Sequence, residues 1–169
     1  MSLEGGSMMT RAALIKRFEE DWRQIRKNFK EGKCIPLEEF DWRLPFQIAE
    51  SREEYRVENE AWTPIILDPD IFSQIQAIYH YISENLVNEP AAYHFKRTIE
   101  NKFSTISTFP NGGTFILVLT DDISEEFSNL RRMSANNYII IYEYYEEPDL
   151  VVIGHIFHQT QNYGKIFQK

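Results

Sequence analysis

The sequence predicts an α+β fold in the order β-α-α-β-β-β, a helical hairpin packed on an antiparallel sheet, plus an N-terminal helix and an extended wrapping segment. Three observations predict it. Apolar residues recur at spacings of three and four in two adjacent stretches, 71–86 and 92–106, the signature of two amphipathic helices. Short β-prone runs separated by turn residues fill 115–157, and YIIIYEYY at 138–145 is the strongest of them. A third helical stripe stands near the N-terminus, separated from the rest by a stretch without any period. Helices that precede a run of antiparallel strands pack together on one face of the sheet.

The first helix is expected over 10–33. Leu14, Ile15, Phe18, Trp22, Ile25 and Phe29 form one apolar stripe. Thr10 is placed to cap its start and Gly32 to stop it. Such a stripe has to lie on something, either the rest of this chain or a partner. Residues 34–56 differ in kind. They hold two prolines and isolated large apolar side chains, Leu37, Phe40, Trp42, Leu44, Phe46 and Ile48. This pattern suits a segment that crosses a surface and seats its aromatics in pockets one at a time. It equally suits a connector packed on its own domain. Phe18, Trp22, Ile25, Phe29, Phe40, Trp42 and Phe46 are the expected partner-binding side chains.

From Trp62 the punctuation is clearer. TPIIL at 63–67 reads as a short buried strand, and Asp68-Pro69-Asp70 as a turn and helix start. Ile71, Phe72, Ile75, Ile78, Tyr79, Ile82 and Leu86 mark a helix ending near Asn88. Asn88 then caps a second helix with Pro90 in its first turn, its apolar face carried by Ala92, Phe95, Ile99, Phe103 and Ile106. The turn at 109–113, FPNGG, ends it. Strands are expected at 115–119, 129–133, 138–145 and 150–157, with Glu146-Glu147-Pro148-Asp149 as the last hairpin turn.

Composition narrows the function. The 169 residues suffice for one domain and an accessory segment, and 43% hydrophobic residues supply a core. Residues 1–8 read as an appended leader, 9–58 as the accessory helix and extended segment, and 62–169 as the main domain. No apolar run reaches the length of a membrane span, and the start does not have the form of a signal peptide. The single cysteine, Cys34, excludes an internal disulfide and suits a reducing, cytoplasmic setting. The net charge is −8, with 7 Lys and Arg against 13 Asp and Glu in residues 61–169. A domain that grips nucleic acid through phosphates is usually basic. Here any such grip would rest on a small local patch.

The sequence contains no phosphate-binding glycine loop, Gly-x-Ser-x-Gly elbow or His-Glu-x-x-His motif. His155 and His158 lie three apart on a strand, hence on opposite faces, and do not make a metal pair. His80 and His94 fall on different helices. Neither a metal nor a cofactor is expected. The carboxylates Asp121, Asp122, Glu125 and Glu126 read as an acidic surface loop. Arg131 and Arg132 are adjacent on a strand, so at most one can join a given site.

Three phrases carry a family resemblance. YHYISENLVNEPAAYHFKRTIENKFSTISTFPNGG resembles the helical hairpin of the RelE/ParE superfamily of toxin-antitoxin toxins, NLRRMSANNYIIIYEY its Arg-rich strand and Asn-Tyr-x-Ile-x-Tyr strand, and LVVIGHIFHQTQNYGKIF its last strand. Their order and spacing cover 62–169. FKEGKCIPLEEFDW is similar to the toxin-wrapping region of antitoxins. The resemblance implies a toxin of a type II, plasmid-stabilising module, bound by an antitoxin that residues 9–58 would supply in cis. A covalent link would raise the effective concentration of that segment.

The superfamily has two activities. One branch inhibits DNA gyrase by protein-protein contact and needs no catalytic residues of its own. The other cuts messenger RNA on the ribosome, with basic residues around the phosphate and a Tyr or His near the C-terminus for proton transfer. On that alternative Arg131 or Arg132, His158 and Tyr163 are the candidates, His158 occupying the family's C-terminal His position. The nuclease members usually carry a further basic residue where this chain has the apolar Ile139-Ile140-Ile141. The expectation is therefore a non-catalytic ParE-like inhibitor. A degenerate, non-toxic interaction domain is a third reading, and a homo-oligomer is left open.

Overall fold

The computed structural model describes residues 9–39 and 62–167. Helix α1 spans Arg11–Lys30, with the Thr10 hydroxyl accepting from the Ala13 N–H at 3.0 Å. Gly32 adopts φ +75, the left-handed conformation that ends a helix at little cost only for glycine. Strand β1 (Ile35–Pro36) follows, then β2 (Ile65–Leu67), α2 (Asp70–His80) and α3 (Glu89–Thr108). Between the two long helices, Tyr81–Asn85 form a π-helical turn, closed by Leu86 N–H to the Tyr81 carbonyl at 3.1 Å. The Asn88 side chain caps α3 through the Ala91 N–H at 3.0 Å, and Pro90 sits in its first turn.

Among the described residues the sheet has six strands in the order β1-β2-β6-β5-β4-β3. Here β3 is Thr114–Phe115, β4 Leu130–Ala135, β5 Tyr138–Tyr145 and β6 Leu150–His158. It is antiparallel except where β2 runs parallel to β6, Ile65 opposite Val151. The expected strand at 115–119 is mostly something else. Only Thr114–Phe115 pair with β4, and Ile116–Leu119 form one helical turn, α4, that buries Ile116 and leaves Val118 70% exposed. A short apolar run fits either element, and here the turn is closed by the Thr120 N–H donating to the Ile116 carbonyl at 3.1 Å.

Both faces of the sheet are covered, where the sequence had predicted helices on one. The helical hairpin α2–α3 covers one face through Ile71, Ile75, Phe95, Ile99 and Phe103, against Ile140, Tyr142, Ile153 and Ile156. Helix α1 and the C-terminal turn Asn162–Phe167 cover the other, with Phe18, Trp22 and Ile25 against Ile139, Ile141, Val152 and Phe157. Phe18 and Trp22 are 0% exposed. The stripe predicted to need a host finds it on the sheet of its own chain. Each such side chain contributes about 1.5–3 kcal/mol by leaving water, so the stripe accounts for a large share of what holds α1 in place.

One irregularity tunes the second face. In the β5–β6 ladder Ile141 pairs with His155 but Tyr142 pairs with Ile153, so Gly154 is the extra residue of a β-bulge. The Trp22 indole lies directly over it.

Candidate functional site

The face under α1 gathers the chemistry-bearing residues. Strand alternation places Arg132, Ile141 and His155 side by side across β4, β5 and β6, and Ser134, Ile139 and Phe157 in the adjacent row. Tyr163 reaches the same face from the C-terminal turn, with its ring 5.3 Å from that of His155. From above, α1 lays Phe18 and Trp22 onto His155, at 5.8 and 5.9 Å between ring centroids.

His155 is 7% exposed, and burial drives its pKa down to about 4, with Asp21 opposing the shift. The imidazole is therefore neutral at physiological pH. Among the described residues its Nε2 has no hydrogen-bond partner, and neither does the buried Nε1 of Trp22. The Tyr163 hydroxyl donates to the Asp21 carboxylate, and burial, followed by that carboxylate, pushes the phenol well above its usual range. Arg132 is half-buried, donates to the Ser134 hydroxyl at 2.9 Å, and forms no ion pair among the described residues. Burial lowers its pKa.

At the end of this face opens a small cleft of about 210 Å³. Arg17 and Asp21 of α1 form one wall and Gln74 of α2 the other, while His155, Ile156 and Tyr163 line the base. Gln74 accepts from the backbone N–H of Ile156 at 2.8 Å.

Arg131 and His158 lie on the opposite face, toward the helical hairpin. Arg131 donates to the carbonyls of Asn111 and Gly113 at 3.0 and 2.9 Å and to the Asn111 side chain at 3.1 Å. Its guanidinium stacks 3.9 Å above the Phe115 ring. These contacts tie it to the 109–113 turn. The His158 Nδ1 meets Thr160, 3.1 Å from the backbone N–H and 2.9 Å from the hydroxyl, and its ring stands edge-on to Tyr138.

The four residues proposed for proton transfer and phosphate binding are thus divided in pairs. Arg132 and Tyr163 share the α1 face, whereas Arg131 and His158 occupy the other. The histidine that joins Arg132 and Tyr163 is His155, which the sequence had considered only as a metal ligand. Its parity with Ile139 and Ile141 in the hairpin register was a usable signal, although the unannounced bulge at Gly154 shifts that register by one residue.

Of the expected partner-binding residues, Phe18, Trp22 and Ile25 are buried against the sheet, and Phe29 stacks on Tyr145 at 5.3 Å. Phe40, Trp42 and Phe46 lie outside the described residues. Two charged contacts help seat α1. Arg26 binds Glu143 with two hydrogen bonds, at 3.1 and 2.9 Å, and the Asn28 amide donates to Asp68 at 3.0 Å. Burial and the nearby Asp68 push the Cys34 thiol up to about 11, so it is a poor nucleophile. Among the described residues no group of three His, Cys, Asp or Glu side chains is placed to hold a metal, and no helix is long and apolar enough to cross a membrane.

Comparison with known families finds a match. The family model described as "ParE toxin of type II toxin-antitoxin system, parDE" covers residues 65–163. No curated protein matches the chain.

Proposed function

Because the chain belongs to the ParE toxin family of type II toxin-antitoxin systems, we propose that it arrests growth by binding and inhibiting a cellular protein, DNA gyrase being the target the family resemblance suggests. Toxins of such modules act with an antitoxin partner. In this chain residues 9–58 would play that part in cis, in the cytoplasm, with α1 as the cover of the toxin domain. The observation that carries the reading is the seating of Phe18, Trp22 and Ile25 on the sheet. An amphipathic helix that buries its stripe on the domain's second face hides that face from any target.

A non-catalytic mechanism is supported by the separation of His158 from Tyr163 across the sheet and by the use of Arg131 in holding a turn. The acidic charge of the domain points the same way. A ribosome-dependent endoribonuclease is the second reading. It is favoured by one observation, the shared face of Arg132, His155 and Tyr163, which would be reachable by RNA only with α1 displaced.

The test is tight induction of the full chain, of residues 62–169 alone, and of 62–169 with residues 9–61 supplied in trans. Growth arrest by 62–169 alone, relieved in trans, is the expected result. Purified gyrase should then lose supercoiling activity while messenger RNA in a translating extract stays whole. Cleaved message with unaffected gyrase would replace the first reading by the second. Normal growth with a folded 62–169 would remove both.

A further inference from the structure

We propose that Glu143 is a specificity-determining residue of the face under α1: it admits an amphipathic helix only where that helix sets a guanidinium one turn after the aromatic that lies over Gly154. This role rests on the reading above, in which α1 covers the toxin domain. Contacts along α1 fix a register. Phe18 lies on His155 and Trp22 over Gly154. Arg26 then binds Glu143, which pairs with Val152, and Phe29 stacks on Tyr145, which pairs with Leu150. The helix therefore runs antiparallel to β6. Four residues of helix advance about 6 Å, and two residues of strand about 6.6 Å. The step from Trp22 to Arg26 thus matches the step from Gly154 to Val152 and its neighbour Glu143.

Burial makes Glu143 selective. Its side chain is 3% exposed, against 23% for Arg26. One carboxylate oxygen accepts from Arg26 Nε at 3.1 Å and from the Tyr145 hydroxyl at 2.9 Å. The other accepts from Arg26 Nη2 at 2.9 Å and, among the described residues, from no other group. The guanidinium also lies 5.0 Å from the centroid of the Phe127 ring. With α1 away, water solvates Glu143. A helix that docks without a guanidinium strips that water and leaves one oxygen without a donor, the costly way to break a buried pair. The converse change is mild, because Arg26 is partly exposed and its guanidinium reaches water when residue 143 is apolar. The socket around the pair does not discriminate in this way. Ile139, Ile141 and Val152 accept apolar side chains of about the right size. A buried anion at this turn excludes apolar helices that would otherwise fit.

Amide hydrogen exchange on the full chain tests this, with α1 amides reporting docking and those of Ile139, Ile140 and Ile141 reporting the sheet. Arg26→Met should lower protection of α1 about 100-fold and leave the sheet amides unchanged. Glu143→Met should lower α1 protection by less than about fivefold, and the double variant should return to within about fivefold of the native chain. Arg26→Lys should lose about tenfold, since an ammonium is a point charge without the two-pronged fork. Equal losses from the two single Met changes, with no recovery in the double variant, would show a simple tie and overturn the filter. Full protection of α1 in Arg26→Met would overturn it as well. Were Glu143→Met to open the sheet too, Glu143→Gln in the Arg26→Met background decides: recovery of α1 protection supports the filter, and continued loss overturns it. Native α1 amides that exchange as freely as those of an unfolded chain would overturn the cover reading and the filter together, whereas a docked α1 indifferent to Arg26 would overturn the filter alone.

Discussion

The indole of Trp22 rests on the bare backbone of Gly154, so close that a Cβ on that glycine would stand 2.6 Å from Cζ2 and 2.7 Å from Cη2. Ile25 Cδ1 would be 2.8 Å away. Both obstacles belong to α1, and the glycine is the bulge residue of β6. Gly154→Ala should therefore lift α1 and cost about 1–3 kcal/mol, the usual range for overpacking. Trp22→Ala should cost about 3–5 kcal/mol through the cavity it leaves. In urea denaturation the double variant should be more stable than the two losses added together, because the second change removes the clash made by the first. Simple additivity would show that the contact does not exist in solution.

Glu143 is 2% exposed and shares its two oxygens between Arg26 and the Tyr145 hydroxyl. Arg26→Ala would leave the carboxylate buried with one neutral donor. A loss of about 3 kcal/mol is expected, since an uncompensated buried charge is costly. Thermal or urea unfolding of the variant measures it, and a loss below about 1 kcal/mol would place the pair effectively in water.

His155 makes stability depend on pH. Its folded-state pKa lies near 4, below the ordinary value of 6.5, so the unfolded chain takes up the proton first as pH falls. Its contribution is complete above about pH 6.5 and is lost progressively down to about pH 4, up to about 3 kcal/mol. Asp68 acts in the opposite sense near the bottom of this range, because burial raises its pKa. His155→Gln should flatten the slope of unfolding free energy between pH 6.5 and 4. An unchanged slope would assign the pH dependence to other groups.

The two adjacent arginines should separate cleanly. Arg131 holds the 109–113 turn through three hydrogen bonds and Phe115, so Arg131→Ala should cost about 1–2 kcal/mol of stability. Among the described residues the Arg132 side chain donates only to Ser134, and Arg132→Ala should change stability by less than about 0.5 kcal/mol. If the chain cuts RNA, Arg132→Ala should abolish growth arrest without loss of folded protein. Arrest that survives this change would favour inhibition of a protein target.

Local signals were fully legible. Thr10, Gly32, Asn88 and Pro90 act where their chemistry placed them, because caps and stops depend only on neighbouring backbone groups. The strand 138–145 and its return were readable from side-chain type and alternation. The family phrases were readable for the same reason, as runs of residues in order. Other features required the assembled sheet. The parallel pairing of β2 with β6 joins residues far apart in the chain, and no local pattern encodes it. That Ile116–Leu119 form a helical turn is equally absent from local pattern, because a short apolar run fits either element.

The sequence by itself determined that an amphipathic helix and an α+β domain exist and that their apolar faces must be covered. Only the tertiary structure decided that α1 covers the second face of the same sheet, with Trp22 over Gly154. It also decided that His155, rather than His158, stands with Arg132 and Tyr163. Periodicity reports which residues share a side of one element. Which side meets which, across more than a hundred residues of chain, is set by shape, by a one-residue bulge and by the strand that ends early.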